Sequence, residues 1–176
     1  MADKLIINWK EYNLITEKLA VQIYQSGFKP DMLIGIMRGG APIIDVLSRI
    51  FKLKCAYLAV ESYSGKGVED EQGDIVFSRE MSSIAKNMGG KILLCDDLSD
   101  KGITLNKSVD WLRKYEPIKD KIEDIKTATL WKKKKSTFEP DYCVVKLKTN
   151  PWIVQPFEHY EEVRIEELEK KHKKKG

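Results

Sequence analysis

Lys91-Ile92-Leu93-Leu94-Cys95-Asp96-Asp97-Leu98-Ser99-Asp100-Lys101-Gly102-Ile103-Thr104 is an apolar run that turns, without a linker, into three carboxylates, a glycine and a hydroxyl. A continuously apolar stretch of this length, Lys91 to Cys95, predicts a strand buried on both faces, the habit of parallel sheets covered by helices. Three anions within five residues are unfavourable together unless a cation or a set of hydroxyls uses them. The residues that follow carry the opposite preference. Lys101, Gly102 and Thr104 open a helix, and exposed backbone N–H groups beside a hydroxyl and a glycine form a cradle for phosphate. One segment, Asp96 to Thr104, therefore offers carboxylates for sugar hydroxyls or a metal and amides for a phosphate. A ribose 5-phosphate has both groups.

The flanking sequence supplies the rest of such a sheet. Met32 to Met37 is a second continuously apolar run, ended by Arg38-Gly39-Gly40 and followed by a helical stripe at Ile43, Val46, Leu47 and Ile50. Cys55 to Val60 predicts another buried strand, which runs out into a polar, Gly-rich segment from Ser62 to Asp74 with the character of a mobile loop. Ile75 to Phe77 is a short strand candidate. After the acidic segment a helix carries Leu105, Val109 and Leu112 on one face, and strands are expected at Thr127 to Trp131, at Tyr142 to Leu147, and after Pro151. Near the N-terminus, Tyr12, Ile15, Leu19 and Ile23 mark an amphipathic helix between Asn8 and Gly27. This alternation predicts an α/β fold, a doubly wound, mainly parallel sheet with helices on both faces, whose ligands lie beyond the carboxyl ends of the strands.

Composition narrows the class further. With 176 residues the chain suits one domain, expected over residues 1–160, followed by a charged helix and tail over 161–176 that ends in a lysine run. Lys and Arg total 31 against 27 Asp and Glu, a net charge of only +4, which does not steer the whole molecule to nucleic acid. Cys55, Cys95 and Cys143 have no paired spacing and sit in or beside apolar runs, which suggests reduced core thiols. His159 and His172 are too few and too late for a histidine-built metal centre. No stretch approaches the ~20 apolar residues needed to cross a bilayer, and the first residues lack a signal-peptide pattern, so a cytoplasmic protein without membrane attachment is expected.

The segment from Lys91 to Thr104 resembles the phosphoribosyl pyrophosphate (PRPP) motif of type I phosphoribosyltransferases: an apolar strand, two acids, two linking residues, then Asp-Thr-Gly-x-Thr. Lys101 departs from it where Thr is usual. The resemblance implies that Asp96 and Asp97 hold the ribose hydroxyls, directly or through Mg²⁺. It implies that Asp100, Lys101, Gly102, Ile103 and Thr104 bind the 5′-phosphate, and that Asp100 is the catalytic group handling the proton near N7 of a purine. Arg38-Gly39-Gly40 is similar to the family's pyrophosphate loop, consistent with amides that approach an anion closely and a guanidinium beside them. Ser62 and Tyr63 match the root of the family's lid.

Pro151-Trp152-Ile153-Val154-Gln155-Pro156-Phe157-Glu158 is similar to the Trp-Ile-x-x-Pro-Trp-Asp segment of bacterial xanthine-guanine and related 6-oxopurine phosphoribosyltransferases, with Phe157 for Trp and Glu158 for Asp. This implies base stacking on Trp152, a backbone contact from Ile153, a role for Glu158, and a small hood built from the chain termini. Lys132, ten residues before Tyr142, matches the lysine that donates to the purine 6-oxo group, while Lys133 to Lys135 read as a solvated turn. The implied function is purine salvage: transfer of ribose 5-phosphate from PRPP to hypoxanthine, guanine or xanthine, as a homodimer or homotetramer. The alternative within the same fold is a non-catalytic regulator sensing PRPP or nucleotides. The lysine-rich tail invites that reading, but nothing resembling a helix-turn-helix accompanies it.

Overall fold

A computed structural model describes residues 3–62, 75–83 and 88–173. In chain order the elements are β1 (Lys4–Ile6), α1 (Trp9–Gln25), β2 (Met32–Met37), α2 (Ala41–Phe51), β3 (Cys55–Ser62), β4 (Ile75–Phe77), β5 (Ser82–Ser83), β6 (Gly90–Ser99), α3 (Ile103–Lys114), β7 (Ile122–Lys132), β8 (Tyr142–Lys146), β9 (Trp152–Val154) and α4 (Ile165–Lys173). They fall into two units: Ile15–Asn150, and Met1–Leu14 together with Pro151–Gly176. The compositional boundary between residues 160 and 161 lies inside the second of these.

The larger unit is built on one sheet in the order β4-β3-β2-β6-β7-β8, with β5 also paired to β3. The neighbours from β3 through β8 along that path are parallel, and β4 and β5 run antiparallel to β3. The apolar runs have no polar alternation because both faces are covered. Met32, Ile34 and Ile36 of β2 cluster with Ala56 and Leu58 of β3, Ile92 and Leu94 of β6, and Leu105 and Leu112 of α3. On the other face, Gly35 of β2 lies against Ile44 of α2. Leu33, Leu93 and Leu47 have no accessible surface, and each such side chain contributes about 1.5–3 kcal/mol relative to leaving it in water.

Several strand ends differ from the sequence expectation, two of them by four residues or more. The strand expected to stop at Cys95 continues to Ser99, carrying both acids: Asp96 pairs with Thr129, Leu98 with Trp131 and Ser99 with Lys132. Ladder hydrogen bonds are made by the backbone, so a carboxylate on the side chain does not end the strand. Likewise β7 begins at Ile122 rather than Thr127, because the polar residues Glu123, Asp124 and Lys126 sit in a partly exposed half of the strand.

The winding of the chain locates a ligand crevice. From β2 it proceeds to β3 on one side, then returns to place β6 on the other side of β2. The carboxyl ends of β2 and β6 thus form the topological switch point, the position where doubly wound sheets hold their ligands.

The smaller unit joins the two termini. β1 pairs in parallel with β9, with Lys4 opposite Trp152 and Ile6 opposite Val154. The Ile7 amide donates to Val154 O at 2.9 Å. A reciprocal cap opens α1: the Glu11 amide donates to Asn8 Oδ1 and the Asn8 amide to Glu11 Oε2, both at 3.0 Å. The rings of Trp9, Tyr12 and Phe157 meet with centroids 5.8–6.1 Å apart. Among the described residues no helix is long and apolar enough to cross a membrane.

Candidate active site

At the end of β2, Arg38 and Gly39 lead into Gly40, which caps α2. The Met37–Arg38 peptide is cis. Gly39 is where the two halves of the crevice touch: a Cβ built on it would lie 2.5 Å from both Cγ and Oδ1 of Asp97. A side chain there would collide with the carboxylate, so glycine at this position lets the loop after β2 lie directly against the second acid of β6.

Asp96 is buried and Asp97 half-buried. Burial, and next the charge of Asp97, push the Asp96 carboxyl well above its ordinary range, although the Asp97 amide donating to Asp96 Oδ1 at 2.9 Å opposes this. Two adjacent carboxylates at a strand end suit Mg²⁺, which is commonly held by one or two carboxylates with substrate oxygens and water completing the shell. Among the described residues no group of three or more His, Cys, Asp or Glu is placed to hold a metal, so Asp96 and Asp97 would share such an ion with substrate oxygens and water.

Gly102 precedes α3 with φ +85°, a conformation that glycine adopts without strain. A Cβ on it would lie 2.7 Å from the Phe138 amide nitrogen and 2.9 Å from Ser136 Oγ. The β7–β8 connection is therefore seated on the loop that opens α3, and hydrogen bonds fasten the two. Ser99 Oγ and Ser136 Oγ are 2.7 Å apart in a buried pair. The Lys133 amide donates to Ser99 O at 3.0 Å, and the Thr137 amide and hydroxyl both donate to Lys101 O at 3.2 Å. The Lys101 side chain is exposed, as is that of Ile103, whereas Thr104 is half-buried at the first turn of α3.

The lysine run divides in a way that differs from the sequence expectation. Lys132 Nζ meets Glu139 Oε2 at 3.0 Å, so its ammonium is engaged by that exposed acid. Lys133, expected in a solvated turn, is buried at 5% exposure, and its Nζ lies 3.2 Å from Asp100 Oδ1. Lys135 Nζ approaches the same oxygen at 2.9 Å. Burial raises the Asp100 carboxyl, but the hydrogen bonds and charges of Lys135 and Lys133 outweigh it and hold the group below its ordinary value. Asp100 is a carboxylate at neutral pH, an acceptor rather than a donor. Lys133, Lys135, Ser99 and Ser136 were not singled out from the sequence. Register was the missing signal: Ser99 pairs with Lys132, so the next position brings Asp100 to Lys133.

The remaining expected residues are placed separately. Trp152 is half exposed on β9 with its amide donating to Asp3 O at 2.8 Å, Ile153 is buried opposite Leu5, and the Glu158 amide donates to Gln155 O at 3.0 Å. All three belong to the unit of the two termini. Phe157, where Trp was expected, completes the ring cluster with Trp9 and Tyr12. Ser62 is the last residue of β3, paired with Ile75, while Tyr63 and the expected lid to Asp74 lie outside the described residues.

At the switch point of this parallel sheet an acidic strand end thus lies against an Arg-Gly-Gly loop, with a glycine-opened helix following the acids. The profile of the phosphoribosyl transferase domain matches residues 6–162, and the chain belongs to that family: it is a phosphoribosyltransferase. Among solved structures, a purine phosphoribosyltransferase from Pyrococcus horikoshii is similar at 27% identity and TM-score 0.70, covering 89% of this chain and 94% of that one. A xanthine-guanine-hypoxanthine phosphoribosyltransferase from Helicobacter pylori is similar at 20% identity and TM-score 0.71, covering 95% and 99%. A hypothetical protein from Neisseria gonorrhoeae with bound ppGpp is similar at 19% identity and TM-score 0.69, covering 97% and 96%. The last two likenesses concern the fold alone. A search of curated proteins finds no match.

Proposed function

We propose that this phosphoribosyltransferase transfers ribose 5-phosphate from PRPP to N9 of a 6-oxopurine, hypoxanthine, guanine or xanthine, releasing pyrophosphate. The observation that carries the reading is the buried ammonium of Lys133 beside the ionised Asp100. Together they offer a donor and an acceptor to one ligand edge. A 6-oxopurine presents its 6-oxo acceptor and an N7 proton in that order, whereas the 6-amino group of adenine would meet a second donor. The likeness to the Pyrococcus purine enzyme supports a purine base as acceptor. Lys133 thus takes the role that the family resemblance suggested for Lys132.

In this reading the C1′–oxygen bond to pyrophosphate breaks and the C1′–N9 bond forms. The developing charge is stabilised by position and electrostatics rather than by a covalent intermediate. Arg38 and the amides of Gly39 and Gly40 receive the pyrophosphate. Asp96 and Asp97 hold the ribose hydroxyls. The segment from Asp100 to Thr104 binds the 5′-phosphate through its amides and the Thr104 hydroxyl. Asp100 accepts the proton at purine N7 as N9 gives up its electron pair. Mg²⁺, held by Asp96 and Asp97 together with PRPP oxygens, would supply charge neutralisation for the leaving pyrophosphate. Trp152, Ile153 and Glu158 remain proposed base contacts, Ser62 and Tyr63 proposed lid residues, and a homodimer or homotetramer the proposed assembly.

The test is pyrophosphate release from PRPP and Mg²⁺ with adenine, hypoxanthine, guanine, xanthine and orotate in turn. Release with at least one 6-oxopurine and none with adenine or orotate is expected. Release with orotate or adenine alone contradicts the reading, and no release with any base, joined to salt-sensitive DNA binding, favours a regulator.

A further inference from the structure

Asp100 has two cationic partners where the chemistry proposed above accounts for one. Lys133 is the buried member, and the base would draw its ammonium toward the 6-oxo group. Lys135 is the outer member, its side chain 42% exposed, and it makes the shorter approach to Asp100 Oδ1 at 2.9 Å. We propose that Lys135 is a positioning residue that keeps Asp100 ionised and oriented while Lys133 is engaged by the purine. The role rests on the purine reading of the site.

The backbone that carries Lys135 is held for this purpose by contacts its side chain does not make. Its amide donates to Asn150 Oδ1 at 2.8 Å. The Lys134 amide donates to Thr149 O at 3.3 Å, and the Ser136 amide closes a turn on Lys133 O at 3.1 Å. With Ser136 Oγ 2.7 Å from Ser99 Oγ, the connection is fixed on both sides of residue 135. Only the ammonium reaches across to the acid. Among the described residues, Lys133 and Lys135 of the β7–β8 connection pair with Asp100, Lys101 is next in the chain with its side chain exposed, and Asp96 and Asp97 lie upstream on β6. Glu139, the nearest acid of the same connection in sequence, is engaged by Lys132 and Lys146. When the purine takes Lys133, Asp100 would face the base with no cation but Lys135. A carboxylate that loses both cationic partners is more readily protonated and then ceases to accept a proton.

The experiment compares wild type, Lys135→Met, Lys135→Arg, Asp100→Asn and the Asp100→Asn/Lys135→Met double variant. Lys135→Met is expected to move the acidic limb of kcat up by about one pH unit, so that turnover on that limb falls about tenfold while it stays near wild type at pH 8. KM for PRPP changes less than about twofold, since the ion pair the Lys135 ammonium makes is with the Asp100 carboxylate. Lys135→Arg keeps the charge and restores the limb. In the Asp100→Asn background, removing Lys135 shifts nothing further. Independently of turnover, the titration midpoint of Asp100, followed by carbon-13 carboxyl resonances with Asp100→Asn for assignment, rises in Lys135→Met. An unchanged midpoint, or a limb shift that persists in the Asp100→Asn background, overturns the proposal. If wild type releases no pyrophosphate with any base, the purine reading falls, and the carboxyl midpoint alone decides whether Lys135 holds Asp100.

Discussion

Replacing Gly39 with Ala tests the crevice at its narrowest place. The added methyl would sit 2.5 Å from Asp97 Cγ and Oδ1, about 1 Å short of the separation at which carbon atoms begin to attract. The loop after β2 is tied down: the Gly40 amide donates to Ile36 O at 2.7 Å and the Ala41 amide to Arg38 O at 3.1 Å. The softer partner is the Asp97 carboxylate, a half-buried group that can turn about χ1. The strain should therefore be relieved by moving the carboxylate and not by unfolding the sheet. A displacement near 1 Å of a substrate-positioning group costs about 10²-fold in rate. The expected result for Gly39→Ala is a fall of that order in kcat/KM for PRPP, measured by pyrophosphate release at saturating purine. The thermal midpoint should move by no more than about 4 °C, corresponding to roughly 1 kcal/mol. If Asp97 holds the ribose and its Mg²⁺ as proposed, more Mg²⁺ should be needed for half-maximal rate. Wild-type kinetics in Gly39→Ala would refute the argument, since the Asp97 position would then be irrelevant to turnover. A collapse in stability without a kinetic defect in the folded fraction would refute it as well.

Three further outcomes follow from the same geometry. Lys133→Met should lower kcat/KM with a 6-oxopurine by about 10²-fold or more, in the range of a lost acid–base or oxyanion partner. Lys132→Met should cost less than about fivefold, because its partner Glu139 is exposed and such pairs contribute ~0.2–1 kcal/mol; the reverse order in steady-state kinetics would return the role to Lys132. Ser136→Ala orphans the buried Ser99 hydroxyl and should cost about 1–3 kcal/mol in chemical denaturation, while the Ser99→Ala/Ser136→Ala pair recovers part of it because neither partner is then left unpaired. Asp100 has a folded-state value below its unfolded one. Its contribution to stability is present above the unfolded carboxyl value of about 3.9 and is lost as pH falls through the folded value. The difference in thermal midpoint between wild type and Asp100→Asn should thus be full at pH 7 and close below about pH 4; a difference constant down to pH 2 would contradict the ion pairs.

Much of this was legible in the sequence, for reasons that also explain what was not. β2, β3 and the first half of β6 are readable because burial on both faces leaves an unbroken apolar run, and Arg38-Gly39-Gly40 and Asp96 to Thr104 are readable because their chemistry abuts those runs. The second half of β6 and the first half of β7 carry no apolar run to mark them, because their pairing is made by the backbone. β1 was missed for a different reason. Its three residues Lys4–Ile6 pair with Trp152–Val154 at the other end of the chain, and no local pattern encodes a contact of that separation. The meeting of Trp9 and Tyr12 with Phe157 is hidden from the local sequence for the same reason.

The lysine run shows most clearly where composition stops being informative. Four identical residues carry no internal distinction, yet the structure gives them different tasks. Lys132, the last residue of β7, sends its ammonium to Glu139. Lys133 goes the other way into the crevice, as the alternation of side chains along an extended chain requires, and Lys134 spends its amide on Thr149. Lys135 meets the same oxygen of Asp100 from the turn that the Ser136 amide closes on Lys133 O. The assignment is therefore a property of β6 as much as of β7. The pairing of Ser99 with Lys132 sets which lysine meets Asp100, and a one-residue slip of that register would present Lys132 or Lys134 to the acid instead. The Ser99–Ser136 hydroxyl pair and the seat of Phe138 on Gly102 resist such a slip. By that route the buried Ser99–Ser136 pair bears on which lysine faces Asp100.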